Sequence, residues 1–350
     1  MVETVLVTGG SGYVGSHTCK ALAAAGYRPV VADNLRRGDR RAVKWGPCEE
    51  VELTDRDGLA RVFATHRPSA VLHFAAYAYV GESVTEPDLY YRDNVGGLLS
   101  LLDVMRRHAV DRIVFSSTCA VYGTPQTLPI PEDHAKAPIN PYGFSKLACE
   151  RILEDYGSAY GLRAVALRYF NAAGADPDGE IGETHDPETH LIPLALCAAS
   201  DPDFELTVFG DDYPTEDGTC IRDYIHVSDL AEAHCMALGH LEAGSPGGAF
   251  NLGTGQGHSV RQVVDTVSEV VGRPVKYRVA PRRPGDPAAL VADSHRARQV
   301  LGWRPRHSAL ERIVTTAARW HRCADSRVAP QSSADSAGVV ASSAATRQAS

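Results

Sequence analysis

A phenol and an ammonium one helical turn apart can take up and release a proton, and Tyr142 and Lys146 form such a pair. They lie in Asn140-Pro141-Tyr142-Gly143-Phe144-Ser145-Lys146, where Asn140 suits a helix N-cap and Pro141 the first helical position. Residues four apart then share one face, and a neighbouring positive charge favours phenolate, so Tyr142 is a candidate general base. The same spacing fits a tyrosine packed on a core with a lysine stem beside it. The pair alone does not decide between chemistry and packing.

A second group of residues suits phosphate. Thr4-Val5-Leu6-Val7-Thr8 reads as a buried strand and runs into Gly9, Gly12 and Gly15, followed by a helical pattern that stops at Gly26. Glycines at G-x-x-G-x-x-G between strand and helix allow a tight turn and a close backbone approach to a pyrophosphate at the helix N-terminus. A glycine-rich turn without a ligand also fits the pattern, and only the flanking strand and helix favour a dinucleotide. The next strand, Pro29 to Ala32, ends at Asp33, placed to accept hydrogen bonds from a ribose and to repel a 2′-phosphate. That favours NAD over NADP, although Arg36 and Arg37 stand close by and could meet a phosphate.

Positioning these groups requires strands that end where the candidates sit. Further strands are expected at 70–76, 112–117 and 164–169, alternating with helices at 56–66, 87–108 and 141–160. Such alternation predicts an α/β fold, a Rossmann-type doubly wound parallel sheet with a smaller C-terminal α/β substrate domain. Beyond Asn171 the alternation loosens. A loop over 172–190 leads to a helix at 191–200, a strand at 206–209, a polar loop to 223 and a helix at 228–240. A strand at 250–253, a helix at 260–271, a strand at 275–279 and two short helices follow. The expected division is 1–171, joined by about 221–243, for the dinucleotide, and 172–324 mainly for substrate. The Ser- and Ala-rich 325–350 reads as a disordered tail.

At 350 residues, 44% hydrophobic and 22% charged, the chain has the composition of a soluble globular protein. A formal net charge of -8 argues against a nucleic-acid partner. The eight cysteines are scattered without metal-ligand spacing, which reads as reduced thiols in a cytoplasmic protein and no metal site. Met1 leads straight into a strand-like run, and no apolar stretch is long enough to span a bilayer, so neither signal peptide nor membrane is expected.

In combination, the glycine-rich opening, the Ser/Thr-rich end of the 112–117 strand and Tyr142-x-x-x-Lys146 resemble the extended short-chain dehydrogenase/reductases. The chain is most similar there to the UDP-galactose (UDP-glucose) 4-epimerases, over about residues 2–321. Matching phrases are Val7 to Thr18, His73-Phe74-Ala75-Ala76, Val80 to Val84, Leu167 to Asn171, Tyr213 to Thr219 and Ile221 to Val227. The resemblance implies a tightly held NAD that is regenerated in each cycle, a UDP-sugar substrate and a homodimer. It implies that Tyr142 takes the proton of the sugar 4-hydroxyl, that Lys146 holds the nicotinamide ribose, and that Thr118, with Ser117 close by, binds the 4-oxygen. Around the dinucleotide it implies Gly9, Gly12, Tyr13, Val14, Gly15, Asp33 and Asn34. Glu52, Leu53, Phe74, Ala75, Ala76, Asn94, Ser116 and Tyr169 complete that set. Around the UDP-sugar it implies Phe170, Asn171, His190, Leu191, Arg222, Arg283, Asp286 and Leu290, beside Thr118 and Tyr142.

Four positions depart from the pattern. Glu52 replaces the usual Asp near the adenine, Ala78 a Lys, and His190 a substrate-binding Asn, while Leu290 holds the position whose bulk limits room for an N-acetyl group. Related 4,6-dehydratases carry Asp-Glu directly after the residue that Thr118 matches, and decarboxylating relatives keep the Glu. Here Cys119 and Ala120 follow, and neither is a carboxylate acid or base. The alternatives are a UDP-xylose/UDP-arabinose 4-epimerase, suggested by Glu188 to Pro193, and an NAD-binding regulator, which predicts a broken Tyr/Lys pair.

Overall fold

The computed structural model describes residues 2–283 and 286–325, so the expected tail lies, except for Asp325, outside the described residues. Six strands, all but β3 with continuous apolar or β-branched runs, form most of one parallel sheet: β1 (Thr4–Thr8), β2 (Arg28–Asp33), β3 (Cys48–Glu50), β4 (Ala70–His73), β5 (Arg112–Thr118) and β6 (Arg163–Tyr169). With Gly247–Leu252 at one edge, the order is that edge strand, β6, β5, β4, β1, β2 and β3. The order reverses between β1 and β4, which opens a crevice at the carboxyl ends of these two strands.

Two apolar layers cover the sheet. One joins Val5, Val7, Leu72, Val114 and Leu167 to Leu230, Ala237 and Leu241 of helix Val227–Glu242. The other joins Leu6, Val30, Val71 and Ile113 to helices Arg56–His66, Gly96–Arg107 and Pro141–Tyr160. A third core, with Ile192, Leu196, Val208, Val263, Ile313 and Val314, lies outside the sheet under helices Leu191–Ser200, Val260–Val271 and Leu310–Asp325. Continuous apolar runs on both faces explain why each main strand was legible.

Several expected elements shift. The short edge strand β3 and the helix Val80–Thr85 have too little apolar pattern to have been read. The expected strand at 70–76 stops at His73, because Phe74 and Ala75 both turn their N–H groups onto the Thr8 carbonyl. The expected helix over 87–108 is helical throughout but passes through a π turn at Tyr90–Val95, which carries Asn94. The expected strand at 275–279 is Tyr277–Ala280, paired with Leu206–Phe209.

Candidate active site

Tyr142 sits in the first turn of helix Pro141–Tyr160, where Asn140 Oδ1 accepts the Gly143 N–H at 2.8 Å. A Cβ on Gly143 would stand 2.6 Å from the Ala120 carbonyl oxygen. Glycine there lets the start of this helix press against the turn after Thr118. The Tyr142 phenol lies near the Thr118 side chain, whose Oγ1 accepts the Ala120 N–H at 3.1 Å. Burial pushes the Tyr142 phenol above its ordinary range, Tyr169 adds to this, and the nearby Thr118 hydroxyl opposes it. A positive charge must therefore be supplied before the phenolate is favoured.

One turn further on, Lys146 is buried, donates to the Ser116 carbonyl at 2.9 Å and lies 4.9 Å above the Phe115 ring. Burial lowers its pKa to about 8. Among the described residues no carboxylate forms an ion pair with it. Ser116 Oγ is 2.5 Å from the Tyr169 hydroxyl, and Tyr169 stands opposite Thr118 in the β5–β6 register.

Two expected site residues are engaged within the protein. Ser117 does not point with Thr118: successive strand residues point to opposite faces, and its hydroxyl donates to Glu150 at 2.6 Å under helix Pro141–Tyr160. Asn94 has both amide donors engaged, with the Tyr77 carbonyl at 3.0 Å and Ser145 Oγ at 3.1 Å, while its oxygen accepts the Tyr77 N–H. Its side chain ties the loop after β4 to the helix of Tyr142, and its oxygen keeps one further lone pair.

The loop between β1 and helix α1 (Tyr13–Ala24) has the shape a pyrophosphate needs. Gly9 has φ +72°, and a Cβ there would stand 2.5 Å from Ala75 N, while one on Gly15 would stand 2.2 Å from the Gly9 oxygen. Gly12 caps α1 with no side chain on its first N–H groups. Backbone donors thus face outward at a helix start with no competing cap, which fits a dinucleotide phosphate. Asp33 accepts from Ser11 N and Leu35 N at 3.1 and 2.9 Å, leaving further lone pairs for a ribose. Arg36 pairs with Glu52 and Arg37 with Glu82, at 2.7 and 2.6 Å, so both nearby arginines have acidic partners. Asn34 also donates to Glu52, and Leu53 packs against Gly97. Tyr13 turns its hydroxyl to the Gly174 carbonyl at 2.6 Å, so it and Val14 bring backbone rather than side chain to the loop.

On the other side, the Ala289–Leu290 strand sets Leu290 beside Arg222 in register. Leu290 packs in one cluster with Phe170, Tyr122 and Cys119, which carries it to the neighbour of Thr118. Arg222 forms a close ion pair with Asp286, and the Arg283 guanidinium lies 4.0 Å over the Phe209 ring. Asn171 continues the chain from Phe170 and bonds its N–H to the Asp223 carbonyl. Leu191 opens its helix, but the ring of His190 is turned to Glu183 and Glu188, each 2.8 Å from Nδ1.

Three positioning residues were missed. Glu150, one turn after Lys146, holds Ser117 and Arg168, and that spacing was a readable signal. Asp223 accepts from Thr254, Gly255 and Ala292 and fixes the loops behind Arg222, while Ser145 receives Asn94; neither carried a local signal.

Residues 5–253 match the model of the NAD dependent epimerase/dehydratase family. A UDP-glucose 4-epimerase of Rhizobium meliloti is 53% identical, over 91% of this chain and 97% of its own. The structure of UDP-glucose 4-epimerase from Brucella ovis in complex with NAD is 54% identical and superposes with a TM-score of 0.89, covering 91% of this chain and 98% of that one. A Stenotrophomonas maltophila UDP-glucose 4-epimerase, solved with NAD and formylated UDP-arabinopyranose, is 39% identical with a TM-score of 0.90, covering 93% and 100%. Sheet order, glycine loop and sequence identity thus agree, and the chain belongs to the NAD dependent epimerase/dehydratase family.

Proposed function

We propose that this protein is an NAD-dependent isomerase that interconverts UDP-galactose and UDP-glucose at C4. The observation that carries the reading is the buried Lys146, with no carboxylate partner among the described residues, one turn from a Tyr142 phenol that lies near Thr118. In this reading Thr118 holds the 4-oxygen, and Tyr142 takes the hydroxyl proton and later returns it to the same oxygen. NAD, when bound, supplies the acceptor and donor of the C4 hydride and a positive ring that favours phenolate. Gly9, Gly12 and Gly15 would admit its pyrophosphate, Asp33 its adenosine ribose, and Lys146 its nicotinamide ribose. The 4-keto sugar must turn between the two transfers, so Arg222 and Arg283 are assigned to the diphosphate, about which it turns. Cys119 and Ala120 offer no carboxylate to eliminate water.

The division into 1–171 with 221–243 for the cofactor and 172–324 for substrate is supported by the separate cores, with strand Gly247–Leu252 joining the first part. A homodimer is supported by Tyr91, Leu99 and Phe144, exposed apolar side chains on the outer helices of the first part. Among the described residues no helix is long and apolar enough to cross a membrane, and we place the protein in the cytoplasm. The test is to give the purified protein UDP-galactose without added NAD, with UDP-xylose and UDP-N-acetylglucosamine in parallel. UDP-glucose is the expected product. Bound NAD with no turnover of any of the three would overturn the reading, and a preference for UDP-xylose would move it to the pentose.

A further inference from the structure

The loop ahead of helix Leu191–Ser200 brings together four side chains outside the Tyr142 site. Glu183, His185, Glu188 and His190 each present one carboxylate oxygen or ring nitrogen, and these four atoms lie within 4.8 Å of one another. Nδ1 of His185 and Nδ1 of His190 both stand 2.8 Å from Glu183 Oε1, and His190 Nδ1 is also 2.8 Å from Glu188 Oε1. The Glu183 carboxylate is buried, 5% exposed, so its charge requires compensation.

We propose that these four residues bind one divalent transition-metal ion, with Zn2+ the best match, as a structural clamp. Two carboxylates and two neutral imidazoles balance a dication, and mixed nitrogen and oxygen donors in a set of four suit tetrahedral zinc. Calcium and magnesium ask for more ligands, nearly all oxygen. Bond lengths of about 2.0–2.2 Å place neighbouring donors about 3.4 Å apart in a tetrahedron. The 2.8 Å contacts open by about half an ångström as the ion replaces the shared protons, which pass to solvent, and the wider pairs close.

The backbone around the ligands is held from outside. The Glu183 carbonyl accepts Trp320 Nε1–H at 2.9 Å, and a Cβ on Gly182 would stand 2.4 Å from the Trp320 ring. His185 packs edge-on against Tyr13 and Tyr79, with ring centroids 6.1 and 6.0 Å away. Tyr13 opens the dinucleotide helix and His190 precedes Leu191, so one ion would pin this loop between the cofactor part and the substrate part. A second acidic group, Asp176, Asp178 and Glu180, contrasts with it: the Lys20 ammonium already lies 2.7–2.8 Å from all three. The expectation of no metal site rested on cysteine spacing. Glu-x-His-x-x-Glu-x-His converges only through the fold of an irregular loop.

The test uses the full chain without a histidine tag, stripped with a chelator and titrated with Co2+, then with Zn2+. One Co2+ per chain with the intense visible bands of a tetrahedral site is expected, displaced by one Zn2+. His185→Ala and Glu188→Gln should each weaken Co2+ binding about tenfold or more, with the helical circular-dichroism signal unchanged. Glu188 is partly exposed, so its substitution does not threaten the fold. No Co2+ uptake by the stripped protein, a weak octahedral spectrum, or variants that bind like the parent would each overturn the site and leave a histidine–carboxylate ion-pair cluster. None of these readouts depends on epimerase activity.

Discussion

Helix Pro141–Tyr160 meets two buried cations one turn apart, and they are treated in opposite ways. Near the start of that helix Lys146 has carbonyl and ring neighbours and, among the described residues, no carboxylate partner, and its pKa falls to about 8 through burial. One turn further on, Arg168 makes two bonds to Glu150, at 2.8 and 2.6 Å, and a third to the Tyr122 hydroxyl. Burial works to lower the Arg168 pKa, but the bonds to Glu150 outweigh it and hold the guanidinium charged. Alternation along β5 turns Phe115 and Ser117 toward this helix, against Lys146 and Glu150, and Ser116 and Thr118 to the opposite face. A paired charge locks the helix of Tyr142 onto the sheet; an unpaired one remains available to a ligand.

The sharpest break of this contrast is Tyr142→Phe, which keeps both cations and removes only the proton carrier. Turnover should fall by about a thousandfold while NAD content and the thermal midpoint stay close to the parent. Near-normal activity would remove Tyr142 from the mechanism. Glu150→Ala attacks the paired side and leaves Arg168 buried without its carboxylate. A loss of about 3–4 kcal/mol in denaturant unfolding is expected, and an unchanged midpoint would show that the pair does not lock the helix.

Lys146→Met attacks the unpaired side and should act in the opposite sense on stability. Removing the buried charge should raise unfolding stability at pH 7 by about 2 kcal/mol while activity is lost. The folded pKa of Lys146 is about 8 against an ordinary 10.5, so between these values the unfolded chain binds its proton more tightly. The parent therefore gains stability as pH rises through that window, and the advantage of the Met variant should shrink from pH 8 to 10.5. A difference that stays constant would show that folding does not depress the Lys146 pKa. The mildest break is Gly143→Ala, whose Cβ would push the helix start away from Ala120. An effect of about 1 kcal/mol on stability and a larger relative loss of kcat than of KM are expected, read from steady-state kinetics against denaturant unfolding.

Much of the cofactor part was legible because its signals are local. Gly9, Gly12 and Gly15 shape one turn, Asp33 ends one strand, and Asn140 with Pro141 starts one helix, each within a few residues. The sugar side was legible only through the family resemblance. Arg222, Leu290 and Phe170 meet through short strands and loops whose pairing has no periodic trace. Ser117 was misread although period-two alternation could have excluded it, because its neighbour Thr118 is the residue that faces Tyr142.

By itself the sequence determined which elements form and which chemical groups they carry, since capping, apolar runs and glycine freedom act over a few residues. Only the tertiary structure decided which of those groups share an environment. Burial and charge pairing depend on residues far apart in the chain, and they alone made Lys146 a weakly held cation, Arg168 a locked one, and His190 a neighbour of Glu183.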